Sequence, residues 1–313
     1  MTRRHPALGA TYAIAGALLF GINASTSKVI ISAGVSPAQI VLFRSLATAA
    51  IAAIVLALTT RGAFRVRLRE WPRLIAFGVF GVALMQWAYS QAVFNLPVGI
   101  ALLVEYTAII WVPLVSMLWF RTQPSKQVWL GVALVLAGLI VVSNLFGGSS
   151  LSITGVTFAF LAAIFLTYYF IVGKQLQASR DTMSTLMYSM LISSAFWACI
   201  PGWADHLPSA TTDVQLLGIG NPPVSLWVSL IWLGIMGSFV PMWLSYRAMH
   251  HLSSTAAGIA STSETVFAFL FGMVLLGENF TGTQLVGGVL VLSGIVVAQL
   301  AERASASEME QQR

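Results

Sequence analysis

The sequence predicts an all-α integral membrane protein, with ten transmembrane helices arranged as two inverted five-helix repeats around a central cavity. Three observations carry that expectation. Hydrophobic residues make up 58% of the 313 residues and charged ones only 8%, whereas an ordinary soluble domain is roughly 25% charged. Ten separate windows are apolar over about the 20 residues that a spanning helix needs. No window alternates apolar and polar residues over about ten positions, as barrel strands do, and helices satisfy their own backbone groups in lipid.

The first window, near 8–31, follows Arg3 and Arg4. It is longer than the 7–15 apolar residues of a signal peptide and another span follows at once, so it reads as an uncleaved first helix. The second, near 37–59, carries Arg44, and the third, near 74–95, follows Arg61, Arg65, Arg67, Arg69 and Arg73. The fourth, near 98–120, contains "LLVEYTAIIWVPL", in which Glu105 is the single charge. The fifth, sixth and seventh lie near 127–145, 155–173 and 182–203. A connector rich in Pro, Gly and Thr, near 204–223, leads to the eighth at 224–246. The ninth, near 254–276, holds Glu264 at about its middle, and the tenth lies near 283–301.

Sorting the basic residues by loop orients the chain. With the N-terminus inside, the inner segments hold Arg3, Arg4, the five arginines of 61–73, Arg121, Lys126, Lys174, Arg180, Arg247, Arg303 and Arg313. These are 14 of the 16 Lys and Arg; the outer loops hold none, and Lys28 and Arg44 fall inside spans. Both termini are therefore expected in the cytoplasm of a bacterial cell with the chain in its inner membrane. The net charge of +6 follows from this sorting and from attraction to anionic lipid, so no nucleic-acid partner is expected.

Two segment pairs repeat. "WLGVALVLAGLIVV" (129–142) and "LVGGVLVLSGIVVA" (285–298) agree at 6 of 14 positions, matching Gly131 with Gly287 and Gly138 with Gly294. "GATYAIAGALLFGINASTSK" (9–28) and "GVTFAFLAAIFLTYYFIVGK" (155–174) agree at 5 of 20, ending on Lys28 with Lys174. A repeat of five spans is odd in number, so the second copy enters the bilayer upside down. Inverted repeats are typical of secondary transporters, with the site at their interface near the midplane. The expected units are 1–148 and 149–303, with a cytoplasmic tail at 304–313.

At this point the chain resembles a family. Ten spans in two halves, "SETVFAFLFGMVLLGE" followed by "GGVLVLSGI", and the weaker first-half copy around "YTAIIWVPLVSMLWF" look like the EamA branch of the drug/metabolite transporter superfamily. Lys28 and Arg44, on either side of "VIISAGVSPAQIVLF", look like the Lys and Arg that this family carries around its first outer loop. Within it the chain is most similar to aromatic amino-acid exporters of the YddG kind. The first half departs from the pattern after its fourth helix, where "FRTQPSK" stands in place of Gly-Glu. The resemblance implies a secondary transporter exporting small neutral or zwitterionic metabolites, amino acids with aromatic ones foremost, by alternating access.

Buried ionisable residues in a bilayer face the bundle interior and find partners. Arg44 and Glu105 lie at matching depths, at roughly 1.5 Å per helical residue, and are expected to form a structural ion pair, with Glu105 also a candidate to line the pathway. Lys28, near a helix end, is expected to snorkel to water. Glu264 has no basic residue at comparable depth and is the candidate to titrate or to bind an amine. The candidate substrate-binding set is Asn23, Gln86, Tyr89, Glu105, Tyr106, Tyr168, Ser261 and Glu264. An aromatic-lined cavity with a few polar anchors suits a flat, partly apolar solute.

Other classes lack their signatures. No GxxxxGK[ST] loop is present for ATP hydrolysis, and the single cysteine, Cys199, leaves no internal disulfide or Cys-based metal site; no cofactor or metal is expected. An integral-membrane enzyme is disfavoured because no clustered acids, His, or nucleophile with base stand in the inner loops. An uncoupled facilitator or channel is the nearer rival, opposed by the isolated Glu264. No two of the 26 glycines are four apart, so the GxxxG dimer motif is missing and the oligomeric state stays open.

Overall fold

The computed structural model describes residues 6–108, 110–111, 115, 126–142, 151–201, 203–204, 212–214, 223–251 and 263–311. Within them ten helices stand at the ten expected windows: α1 Pro6–Ser32, α2 Pro37–Thr59, α3 over 71–95, α4 Val98–Glu105, α5 Lys126–Val142, α6 Ile153–Ser179, α7 Thr182–Ala198, α8 over 226–251, α9 Ser263–Leu276 and α10 Gly282–Gln311. Five carry segments long and apolar enough to cross a membrane: Ala7–Ser32, Pro37–Thr59, Leu68–Asn95, Ile153–Gly173 and Leu226–Ser245. The apolar helices Trp129–Val142, Ser263–Leu276 and Gly282–Val297 are shorter. The last helix runs on through 304–311, which the sequence reading sets apart as a tail. The strands among the described residues form a two-residue antiparallel pairing, β1 Asp213–Val214 with β2 Val224–Ser225. It lies in the connector before α8, where Val214 is buried against Ile30, Ile40 and Leu226.

Local chemistry sets the helix ends. Gly34 turns the chain between α1 and α2 at φ 97°, a conformation open to glycine at little cost. Ser36 and Gln39 then form a capping box, with Pro37 in the first turn of α2, where its missing N–H is not needed. Asp181 caps α7 by accepting from the Ser184 amide at 2.9 Å. Two helices are not regular: α3 widens to a π-helix over Phe77–Leu84 and α8 over Ile235–Phe239. Such turns are rare and gather at functional sites.

The helices pack through small residues. Ala24 of α1, Ala88 and Ala92 of α3, Ala101 of α4, Ala159 and Ala162 of α6 and Ala268 of α9 share one buried cluster, the close approach that small side chains permit where lipid supplies no hydrophobic drive between helices. The pair α5 and α10 meets on glycine. A Cβ on Gly138 would lie 2.7 Å from the Gly287 carbonyl oxygen, and one on Gly294 would lie 2.7 Å from that of Gly131. Apolar side chains such as Ile54, Leu58, Ile164, Val274 and Val289 are left exposed, as a lipid-facing surface requires.

Two ion pairs tie the ends of the bundle. At one end Lys28 Nζ of α1 meets Glu278 Oε1 at 2.6 Å and the Leu96 carbonyl at 2.8 Å, while the Val98 amide donates to Glu278 Oε2 at 3.0 Å. Lys28 is thus paired, and does not simply snorkel: Gly277, at φ 64°, turns the chain after α9 so that Glu278 reaches it. At the other end Arg180 Nη1 meets Glu70 Oε2 at 2.6 Å, and the same guanidinium donates to the Ala63 carbonyl and Ser184 Oγ with its face over the Tyr188 ring.

Candidate functional site

Between these ends, several helices turn polar side chains inward. Arg44 of α2 is only 5% exposed; its Nε donates to Ser238 Oγ at 2.7 Å, and its Nη1 is enclosed without an acceptor. Ser238 sits in the π-turn of α8, next to Gly237. A Cβ on Gly237 would fall 2.5 Å from Asn23 Oδ1 of α1, so glycine there lets Asn23 pack against that turn. The Asn23 Oδ1 atom is also enclosed with no donor reaching it. Asn23 and Arg44 therefore converge on one turn of α8.

The ion pair expected between Arg44 and Glu105 is not made. Among the described residues the ion pairs are Lys28 with Glu278 and Arg180 with Glu70. Arg44 is nevertheless within electrostatic reach of Tyr89, Glu105 and Glu264. Matching depth brings the groups into one region, but depth says nothing of helix rotation, and rotation has aimed Arg44 at α8. The carboxylate of Glu105, buried at the last turn of α4, makes no hydrogen bond among the described residues.

Glu264 has a partner that depth matching could not show, because the partner is neutral. Tyr106 Oη donates to Glu264 Oε2 at 2.6 Å, joining α4 to the first turn of α9. A hydrogen bond to a carboxylate is about twice as strong as a neutral one, so this contact fixes the acid in place across the bundle.

The other candidates are dispersed. Gln86 of α3 is buried with its Nε2 4.0 Å from Met190 Sδ of α7 and its Oε1 unpartnered. Tyr89, one turn on, belongs to the alanine cluster. Tyr168 of α6 is half-buried and packs edge-on against Phe80, apart from the Glu264 group. Ser261, with most of the stripe of small and hydroxyl residues before Glu264, lies outside the described residues. Ser238 is the participant that sequence reasoning missed; its signal was a hydroxyl deep in an otherwise apolar window. The deep Trp87 is packing, edge-on to Phe158 and tilted against Trp197.

Two voids are described among these residues, and neither is the central cavity expected from the sequence. A cleft of about 420 Å³ opens at the Lys28 end, lined by Lys28, Val29, Ser32, Leu276, Gly277 and Glu278. A second void, of about 10 Å³, lies beside Phe77, Tyr169 and Met190. Neither is lined by Arg44, Glu105 or Glu264; Arg44 and Glu105 are buried and Glu264 is half-buried. No cluster of three or more His, Cys, Asp or Glu able to hold a metal ion occurs among the described residues.

Known proteins share this arrangement. Residues 7–144 and again 153–299 match the EamA-like transporter family. The chain belongs to that family. Among its relatives, the pseudopaline exporter of Pseudomonas aeruginosa is 27% identical over 83% of this chain and 85% of its own. The threonine/homoserine exporter of Salmonella typhimurium is 24% identical over 71% and 68%, and an uncharacterized transporter of Archaeoglobus fulgidus is 23% identical over 74% and 79%. A solved crystal structure, 18% identical, superposes with a TM-score of 0.62 over 95% of this chain and 98% of that one, so the fold is shared. An EamA-like chain is thus a multi-pass membrane protein whose relatives are named transporters and exporters.

Proposed function

We propose that this EamA-like chain is a secondary transporter that exports small neutral or zwitterionic metabolites, amino acids foremost, across the bacterial inner membrane by alternating access. The observation that carries the reading is the contact between Tyr106 and Glu264, an acid held by hydrogen bond between helices within electrostatic reach of Arg44 and Glu105. Buried ionisable residues of this kind mark solute or ion pathways. The threonine/homoserine exporter's name supports amino acids as the class, and aromatic ones remain the leading choice from the sequence resemblance.

Packing supports the inverted repeat. The sequence match pairs Gly131 with Gly287 and Gly138 with Gly294, while the close approaches are Gly138 to Gly287 and Gly294 to Gly131. Exchanging the halves turns each approach into the other, as a two-fold axis between α5 and α10 would. The same shift of 156 residues carries the π-turn 235–239 onto 79–83, inside the π-segment of α3. The basic sorting places the Arg180 end in the cytoplasm.

Purified protein in liposomes loaded with unlabelled L-phenylalanine should accumulate labelled L-phenylalanine by exchange without nucleotide. Strict dependence on ATP would overturn the reading, and flux that never saturates and shows no exchange would assign a channel instead.

A further inference from the structure

Arg44 is a charged group that the fold buries and leaves incompletely paired. Its Nε is spent on Ser238, its Nη1 points into the interior without an acceptor, and the nearby carboxylates of Glu105 and Glu264 do not close on it. A guanidinium presents donors in a fixed fork that fits a carboxylate. One placed inside a membrane bundle marks function when no structural partner claims it. Asn23 packs on the same α8 turn that holds Ser238, with its Oδ1 enclosed and unpartnered. Glu264, within electrostatic reach of Arg44, is oriented by Tyr106 and left with lone pairs to spare, since a carboxylate offers about four acceptor positions and Tyr106 fills one.

We infer that Arg44 receives the carboxylate of the transported solute while Glu264 receives its ammonium, so that the centre of the bundle selects zwitterionic α-amino acids. This rests on the transporter reading above and adds to it a cation that the sequence had assigned to a structural pair. A cation and an anion on separate helices, α2 and α9, require both charges in one ligand. An amine lacking the carboxylate leaves Arg44 without a counter-charge, and an N-acylated acid leaves Glu264 without one. The ligand brings the two helices together through its own backbone atoms, and its side chain is free to vary.

Ligand-induced thermal shift of the detergent-purified full chain tests this without requiring transport. L-phenylalanine should raise the melting temperature saturably. Phenethylamine, which lacks the carboxylate, and N-acetyl-L-phenylalanine, which lacks the ammonium, should each bind at least about tenfold more weakly, the loss expected for one charge-assisted hydrogen-bonded partner. Arg44→Gln should bring the preference for L-phenylalanine over phenethylamine close to unity, and Arg44→Lys should keep part of it, a change of selectivity that a merely structural arginine would not produce. If Arg44→Gln does not fold, the wild-type comparison decides alone. Equal binding of phenethylamine and L-phenylalanine by the wild type, an unchanged preference in folded Arg44→Gln, or saturable binding of neither L-phenylalanine nor L-threonine would overturn the assignment. Selective binding without exchange in liposomes would instead refute the transporter reading and leave the site standing.

Discussion

At the scale of residues, Tyr106 and Glu264 make opposite predictions. Tyr106→Phe removes the donor and leaves a buried carboxylate short of one hydrogen bond, a loss of about 1–3 kcal/mol. Its melting temperature should fall. Glu264→Gln still offers tyrosine an amide oxygen, so the fold should hold, but Gln neither titrates nor neutralises an ammonium, and exchange should be lost. Full exchange in Glu264→Gln would remove Glu264 from the mechanism. Glu105→Gln separates the expected ion pair from the observed geometry. With no bond from Arg44 to lose, and a buried charge costly in itself, the variant should melt at or above the wild-type temperature; a clear drop would restore the pair. The sequence made these groups visible because a charge in an apolar run stands out. It could not show their partners. Ser238 and Tyr106 are neutral, and which neutral group faces a charge depends on helix rotation, which window reading does not fix.

At the scale of elements, α5 and α10 give the sharpest test of packing. A Cβ at Gly138 would press within 2.7 Å of backbone atoms of Gly287 and Val291, while one at Gly288 would find nothing nearer than the Leu103 side chain at 3.5 Å. Backbone cannot swing aside as a side chain does, so Gly138→Ala should destabilise by about 1–3 kcal/mol, the usual cost of overpacking. Gly288→Ala should be neutral, and an equal effect of both on thermal unfolding would refute the close crossing. This crossing was foreshadowed by the glycines aligned in the two halves, and all ten helices were legible as apolar windows, because length and hydropathy are local properties. The π-turns were not legible. "FGVFGVAL" and "IMGSF" read like any apolar helix, and their widening is settled by what packs against them, Asn23 against Gly237 for one. The pairing of Asp213–Val214 with Val224–Ser225 escaped for a related reason: two residues carry no periodicity.

At the scale of the whole molecule, the two ion pairs are the joints between its halves. Lys28 and Glu278 bind α1 to the turn after α9; Glu70 and Arg180 bind the segment before α3 to the turn after α6. Each pair couples the part of the chain before residue 142 to the part after residue 153, and they do so at opposite ends. With both formed, the cleft of about 420 Å³ is bounded by Lys28 and Glu278 and does not reach Glu105 or Glu264. Under the proposed alternating access the two pairs open in turn. Each can be weakened separately without discarding its surroundings, since Glu278→Gln still accepts from the Val98 amide and Glu70→Gln leaves Arg180 bonded to Ala63 and Ser184. In a Cys199→Ser background, Thr265→Cys places a fully buried reporter beside Glu264. Glu278→Gln should speed its labelling by an impermeant thiol reagent added from outside, and Glu70→Gln should speed labelling from the cytoplasmic side of inverted vesicles. The two responses must fall on opposite faces, because each substitution loosens one end and leaves the other closed. Acceleration on the same face in both variants, or in neither, would show that these pairs fasten the bundle without gating it.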